Sequence, residues 1–213
     1  MKGGLHVTPD YVIFSDASVI LSGACNYSAY AAVILNCETK AYTTISGPLS
    51  NRSIAFCEGY AIYQGLRYLK QLTKSKHKKD KVKILVVTDS KNTVTTFTKW
   101  IQNSWDTTDW YHWKTSQKEP VKNQDLYRSI IKVLNSDRFK VKFIHINSHS
   151  NGKKGAESKI FAKLADAKVH LSEKTAKIFI EMNDLADKVA HRITREMYNE
   201  RDQFNDLLLK RKG

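Results

Sequence analysis

Residues Val82 to Val87 read VKILVV, a nearly all-apolar run of the kind found in strands buried on both faces of a sheet, and the polar triplet TDS follows at once. A strand with no solvent face needs helices on both sides and a crossover to a parallel neighbour. The flanking sequence supplies these parts. Before it, from Ile54, Cys57, Ala61, Ile62, Gly65, Leu66 and Leu69 recur at helical spacing; after it, a helical segment reaches Ile101. Further upstream, Tyr11–Phe14, Tyr30–Leu35 and Ala41–Ile45 read as three successive strands. Downstream, a helix is expected over Leu126–Leu134 and a strand over Lys140–Ile146. Two more helices are expected, one over about Glu157–Val169 and one from Thr175 with the apolar stripe Ile178, Met182, Leu185, Val189 and Ile193. The pattern predicts an α/β fold, a mixed sheet with helices packed on it.

Four carboxylates occupy unusual positions on this scaffold. Asp16 is expected to close the first strand and shares a face with Val12 and Phe14. Asp89 ends the apolar strand at the carboxyl edge of the sheet, where open α/β sheets bind ligands. Glu58 is in register with Ala61, Ile62, Gly65 and Leu69, on the helix face that packs inward. Asp187 lies one helical turn after Asn183, on the shoulder of the last apolar stripe. Each alone reads as a cap or a solvated acid. Together they repel unless cations neutralise them, and all-oxygen ligands favour magnesium or manganese. The chain carries 35 Lys and Arg against 21 Asp and Glu, a formal charge of +14, which suits a phosphate-bearing partner.

Other classes fit poorly. Three cysteines without CxxC or Cys/His spacing argue against a disulfide framework or a zinc knuckle and for a cytoplasmic setting. His145 and His149 have H-x3-H spacing but no third ligand nearby, so zinc is not expected there. No signal peptide is evident, and the longest apolar run, Ala29–Leu35, is too short to cross a membrane.

The motifs resemble type 1 ribonuclease H, the bacterial-type enzyme that cuts the RNA strand of RNA/DNA hybrids, and the resemblance implies a ribonuclease H-like α/β fold with a five-stranded mixed sheet, three antiparallel strands followed by parallel ones, flanked by helices. IFSDAS (Ile13–Ser18), the helix EGYAIYQGLRYL from Glu58, and VTDSKNTVTTFTKWIQN (Val87–Asn103) are similar to the three segments that carry its first acids. WKTSQKEPVKNQDLY (Trp113–Tyr127) resembles the end of the family's substrate-binding handle, and NDLADKVA (Asn183–Ala190) its N-x-x-A-D motif, selecting Asp187 over Asp184. The resemblance implies that Asp16, Glu58, Asp89 and Asp187 hold two Mg2+ ions, with Mn2+ as a possible substitute, for in-line hydrolysis giving 5′-phosphate and 3′-hydroxyl ends. It places His149 in the position of a loop histidine that assists proton transfer or release. It also implies substrate contacts from Ser18, Ser90, Trp100, Trp113, Thr115, Lys122, Asn123 and Asn183, with Asn51 and Arg52 as shifted substitutes for asparagines usually found just before the glutamate. The expected partner is an RNA/DNA hybrid bound by a monomer, with a replication or reverse-transcription protein as a further possible partner.

The sequence departs from the family in several places. DGS is DAS, and the glycine-rich turn after the first strand is VILSGACNYSAY. The handle is near-neutral and rich in aromatics, Trp100, Trp105, Trp110, Tyr111 and Trp113, which suit either stacking on sugar or core packing. The lysines gather elsewhere, at Lys70–Lys83 and at Lys153, Lys154, Lys159 and Lys163. Residues 151–182 form an insertion with its own helix, expected to border the active site. The domain is expected over 1–195, with 196–213 as a basic helical extension. Two rivals remain. A proofreading exonuclease needs Asp-x-Glu in its first strand, where this chain has Asp16-Ala17-Ser18, and a nuclease-dead binding module need not keep four acids.

Overall fold

The computed structural model describes residues 8–22, 25–74, 81–109, 111–146, 156–169 and 173–210. β1 (Tyr11–Ser22) and β2 (Cys25–Asn36) pair antiparallel along their whole length, from Tyr11↔Asn36 to Ser22↔Cys25. Asp16 therefore does not close the first strand. β1 continues six residues past it, because β2 goes on supplying backbone partners where the other neighbour has ended. β3 (Tyr42–Ser50) pairs antiparallel with β2 at the sheet edge, where Pro48, lacking an N–H, is tolerated. This strand runs five residues beyond the Ala41–Ile45 expected.

β4 (Val82–Thr88) and β5 (Phe139–His145) add parallel strands on the other side, giving the order β3-β2-β1-β4-β5. The predicted five-stranded mixed sheet is the one observed. β4 is central and buried except at Lys83, which accounts for its apolar sequence.

Two helical layers cover the sheet, and the strands' alternation divides the core between them. Tyr11 and Ile13 join α1 (Ile54–Leu72) and α3 (Gln124–Leu134) on one face. Val12 and Phe14 join α4 (Ala156–Asp166) and α5 (Glu173–Lys210) on the other. α1 starts at Ser53, whose hydroxyl accepts from the Phe56 N–H at 3.3 Å. It presses so closely on β1 that a Cβ at Gly65 would lie 2.9 Å from Ile13 Cγ2. The expected helix after β4 is a short α2 (Lys91–Thr95) that widens into a π-helical segment, Thr96–Ser104.

α5 passes without a break through residue 195, where a domain end was expected, because no glycine or proline interrupts it from Glu173 to Lys210. Its later turns dock on β2: Arg201 Nη1 donates to the Tyr27 hydroxyl at 2.6 Å, and Tyr198 packs edge-on against the Tyr27 ring. Among the described residues no helix is long and apolar enough to cross a membrane.

Candidate active site

The parallel ladder between β1 and β4 runs from Tyr11↔Ile84 to Ser15↔Thr88. Asp16 and Asp89 each follow the last pair, so the register alone sets these two acids side by side at the carboxyl edge of the sheet. Glu58 reaches them from the second turn of α1, and Asp187 from α5 on the opposite face.

The electrostatics follow from this convergence. Asp16 is only 7% exposed, and its carboxyl is pushed up to about 8, first by burial and then by the charges of Asp89, Asp187 and Glu58. The Ala17 N–H, 2.7 Å from Asp16 Oδ1, opposes the rise. Glu58 is also raised, by burial and by Asp89, with the hydroxyls of Ser90 and Thr93 pulling the other way. Thr93 Oγ1 lies 3.3 Å from Glu58 Oε2 and 2.8 Å from Ser90 Oγ. Ser90 Oγ also accepts from the Thr93 N–H and caps α2, so the turn after Asp89 is tied to the glutamate on α1. The acids thus lie within mutual electrostatic range. Among the described residues, though, no three His, Cys, Asp or Glu side chains already stand at metal-ligand spacing.

A second connection runs through β5, where His145 is the register partner of Thr88. Its Nε2 is 3.0 Å from the Asp89 carbonyl oxygen, which can only accept, so Nε2 carries the proton. Nδ1 is then free to accept from Lys163 Nζ at 3.3 Å. Burial and the Lys163 charge hold the imidazole below its usual range, which keeps it neutral and suited to that role. Lys163 is on α4, so this helix is linked by its lysine to the strand end that carries Asp89. Sequence reading singled out His145 only for a rejected zinc spacing. The pairing of β4 with β5 is what reveals its place.

The remaining expected residues are distributed unevenly. His149 lies outside the described residues, as do Trp110, Lys153, Lys154 and residues 75–80 of the lysine run. Asn183, one turn before Asp187 on α5, is 4% exposed, and among the described residues its Oδ1 has no hydrogen-bond partner. Ser18 lies on β1 two residues past Asp16, and its carbonyl accepts from Thr194 Oγ1 on α5 at 3.3 Å. Asn51 adopts a left-handed backbone (φ 54°) and accepts from the Asn26 N–H at 3.0 Å, while the Arg52 guanidinium covers the Phe56 ring at 4.6 Å. This pair directly precedes the Ser53 cap of α1.

In the handle-like segment, Thr115 and the exposed Lys122 flank a turn closed by the Thr115 N–H to the Glu119 carbonyl at 2.7 Å. Asn123, left-handed at φ 60°, stands at the start of α3. Trp113 requires a correction as a substrate contact, because its side chain is 2% exposed and belongs to the core. Gln124 fixes it there, accepting from the Trp113 N–H at 2.9 Å and donating to the Tyr111 carbonyl at 2.7 Å. Trp100 packs on Trp105 with ring centroids 5.7 Å apart, and Trp105 on Tyr127 at the same separation. Trp100, Trp105 and Trp113 thus pack within the protein, whereas Tyr111 is exposed.

The fold is shared with known structures of low sequence identity. A foamy viral protease-reverse transcriptase in complex with RNA/DNA hybrid superposes with a TM-score of 0.57 at 16% identity, over 91% of this chain and 22% of that one. The native protease-reverse transcriptase of Prototype Foamy Virus gives 0.53 at 19% identity, over 87% of this chain and 21% of that one. The solution structure of the PFV RNase H domain gives 0.56 at 20% identity, covering 89% of this chain and 96% of that one. The chain thus spans about a fifth of the reverse transcriptases and nearly the whole isolated domain. No curated protein matches the chain in sequence. The RNase H family model matches residues 8–168, including Asp16, Glu58 and Asp89, and the chain belongs to the RNase H family.

Proposed function

We propose that this chain is a ribonuclease H that hydrolyses the RNA strand of RNA/DNA hybrids. The observation that carries the reading is the buried Asp16 carboxyl, pushed up to about 8 by burial and by three further acids brought from one strand end and two helices. Keeping like charges together at the edge of a stable sheet costs folding energy, and a site of this kind is where such a cost is usually functional.

The donor set fits hard divalent cations, since all four groups offer carboxylate oxygen and a cation would remove the repulsion that raises Asp16. Asp16, Glu58, Asp89 and Asp187 would hold two Mg2+ ions, or Mn2+ in their place, whose chemistry is to activate water and to offset charge on the leaving oxygen. The protein's own share is positional. Parallel register fixes Asp16 beside Asp89, the Ser90 and Thr93 hydroxyls steady Glu58, and the pair of His145 with Lys163 holds the backbone after β4. Attack in line on phosphorus breaks the P–O3′ bond, leaving a 3′-hydroxyl and a 5′-phosphate. His149, which follows β5 in the sequence, is assigned to proton transfer or product release.

Asn51, Arg52, Ser18, Asn123, Thr115 and Lys122 are assigned to the hybrid. Arg52 and Lys122 would meet backbone phosphates, and the amides would read sugar edges, where the ribose 2′-hydroxyl distinguishes RNA from DNA. The ribonuclease H unit is assigned to residues 1–195, with 196–213 as its helical extension. Residues 151–182 are an insertion that braces the site through Lys163. The setting proposed is cytoplasmic, with a replication or reverse-transcription protein as a further partner. The foamy viral structure with an RNA/DNA hybrid supports the choice of substrate.

The test is digestion of a hybrid labelled on either strand, with duplex DNA and duplex RNA alongside, in magnesium and in manganese. Cleavage confined to the RNA strand and lost on chelation is expected. Cleavage of duplex DNA at a comparable rate, or no cleavage by a folded chain, would refute the assignment.

A further inference from the structure

α1 begins beside the acids and ends far from them. From Glu58 to Lys70 the helix advances by about 18 Å at roughly 1.5 Å per residue. At that distant end, between α1 and α3, lies an open cavity of about 630 Å³ whose rim carries Arg67, Lys70, Lys74, Lys132 and Arg138. Arg138 immediately precedes β5, and its carbonyl accepts from the Val82 N–H at the start of β4. The cavity is therefore at the amino edge of the parallel strands, and the acids are at the carboxyl edge.

Three features mark it as a built anion site. Among the described residues no acidic side chain lines it, and none of the five cations pairs with a carboxylate. Asp137, the acid adjoining Arg138, pairs with Lys81 at 3.7 Å. Arg138 is fixed in place, its Nη1 donating to the Thr73 carbonyl at 2.9 Å, which leaves its other N–H groups for a ligand. Tyr63 supplies an aromatic wall, with the Arg67 guanidinium 5.7 Å from its ring centre. Five converging cations repel one another, and a multivalent anion is what relieves them.

We infer that this cavity is a second phosphate-backbone site, engaging nucleic acid beyond the stretch held at the acids. It is separate from the handle-like segment and from the acid cluster. The reading of the chain as a hybrid nuclease enters only in the choice of nucleic acid as the polyanion. Non-specific backbone contacts of this kind lengthen the footprint and raise affinity without touching the chemistry.

The test compares the native chain with Lys70→Gln/Lys132→Gln, and with the charge-matched control Lys40→Gln/Lys177→Gln. Binding is read in chelator across a salt series, so it does not depend on cleavage. The probes are a hybrid of about 8 base pairs, roughly 27 Å long, which when centred on the acids extends about 13 Å to either side and stops short of the cavity about 18 Å away, and one of about 40 base pairs. For the long hybrid, the cavity variant should bind about tenfold or more weakly near 0.1 M salt, and its log–log salt slope should fall by about one to two. The short hybrid, its cleavage rate and the control variant should be unaffected. Equal weakening with both lengths, or by the control, would reduce the cavity to general surface charge and overturn the inference. Unchanged binding of the long hybrid would also overturn it, leaving an acidic protein surface as the better reading. Failure of the nuclease assignment would appear separately, as absent cleavage of the short hybrid by the native chain.

Discussion

Replacing Asp16 with asparagine should stabilise the metal-free protein, and the size of the gain follows from its titration. In the unfolded chain this carboxyl has its ordinary pKa of 3.8, and in the folded chain about 8. The folded state therefore holds the proton more tightly, so folding loses stability as pH rises from about 4 to about 8, and the loss is complete above that. At pH 7 the interval is about three units, which at about 1.4 kcal/mol per unit sets an upper limit of about 4 kcal/mol. The amide introduced by Asp16→Asn carries no charge, and its oxygen can still accept from the Ala17 N–H. A gain of about 2 to 4 kcal/mol at pH 7 corresponds to a rise in Tm of about 5 to 15 °C for a chain of this size. Thermal unfolding followed by circular dichroism in chelator at pH 5, 7 and 8.5 would measure it, and the gain should be small at pH 5. Adding magnesium should stabilise the native chain and narrow the difference, because a ligand that binds only the folded state adds stability. A destabilised variant, or a gain independent of pH and metal, would refute the reasoning.

Two other perturbations test the supports of the site. Gly65→Ala places a methyl 2.9 Å from Ile13 Cγ2 in a fully buried contact, and should cost about 1 to 3 kcal/mol in denaturant unfolding despite alanine's better helix propensity. A neutral or stabilising result would mean that α1 and β1 separate easily. Lys163→Met removes the positive charge beside His145 Nδ1, so the imidazole should titrate at higher pH by NMR. An unchanged titration would show that α4 does not reach the histidine in solution.

Much of this arrangement was legible in the sequence because its signals are local. The nearly all-apolar VKILVV run marks an interior strand, and Asp89 follows from where it stops. Asp16 was conspicuous as an acid on an apolar strand face, and Glu58 as one on an apolar helix face. What could not be read depends on contacts between distant segments. The extension of β1 beyond Asp16 rests on the β2 ladder, and the place of His145 on its register with Thr88. Trp113 reads the same whether it stacks on substrate or fills a core, and Gln124, eleven residues later, decides the matter by bonding its backbone. The lysines near residue 70 were visible as a run, but their convergence with Lys132 and Arg138 needs α1 and α3 packed together.

The four carboxylates are proposed to act as one catalytic centre. The most direct test is single-turnover cleavage of a hybrid in magnesium by the native chain and by Asp16→Asn, Glu58→Gln, Asp89→Asn and Asp187→Asn, with hybrid affinity measured for each. The prediction is that all four bind the hybrid as tightly as the native chain or more so, since each sheds a negative charge, and that each loses cleavage by a factor of about 100 or more. A variant that binds and cuts at the native rate would remove its residue from the centre. Native rates for two or more of them would show that the four do not form one centre.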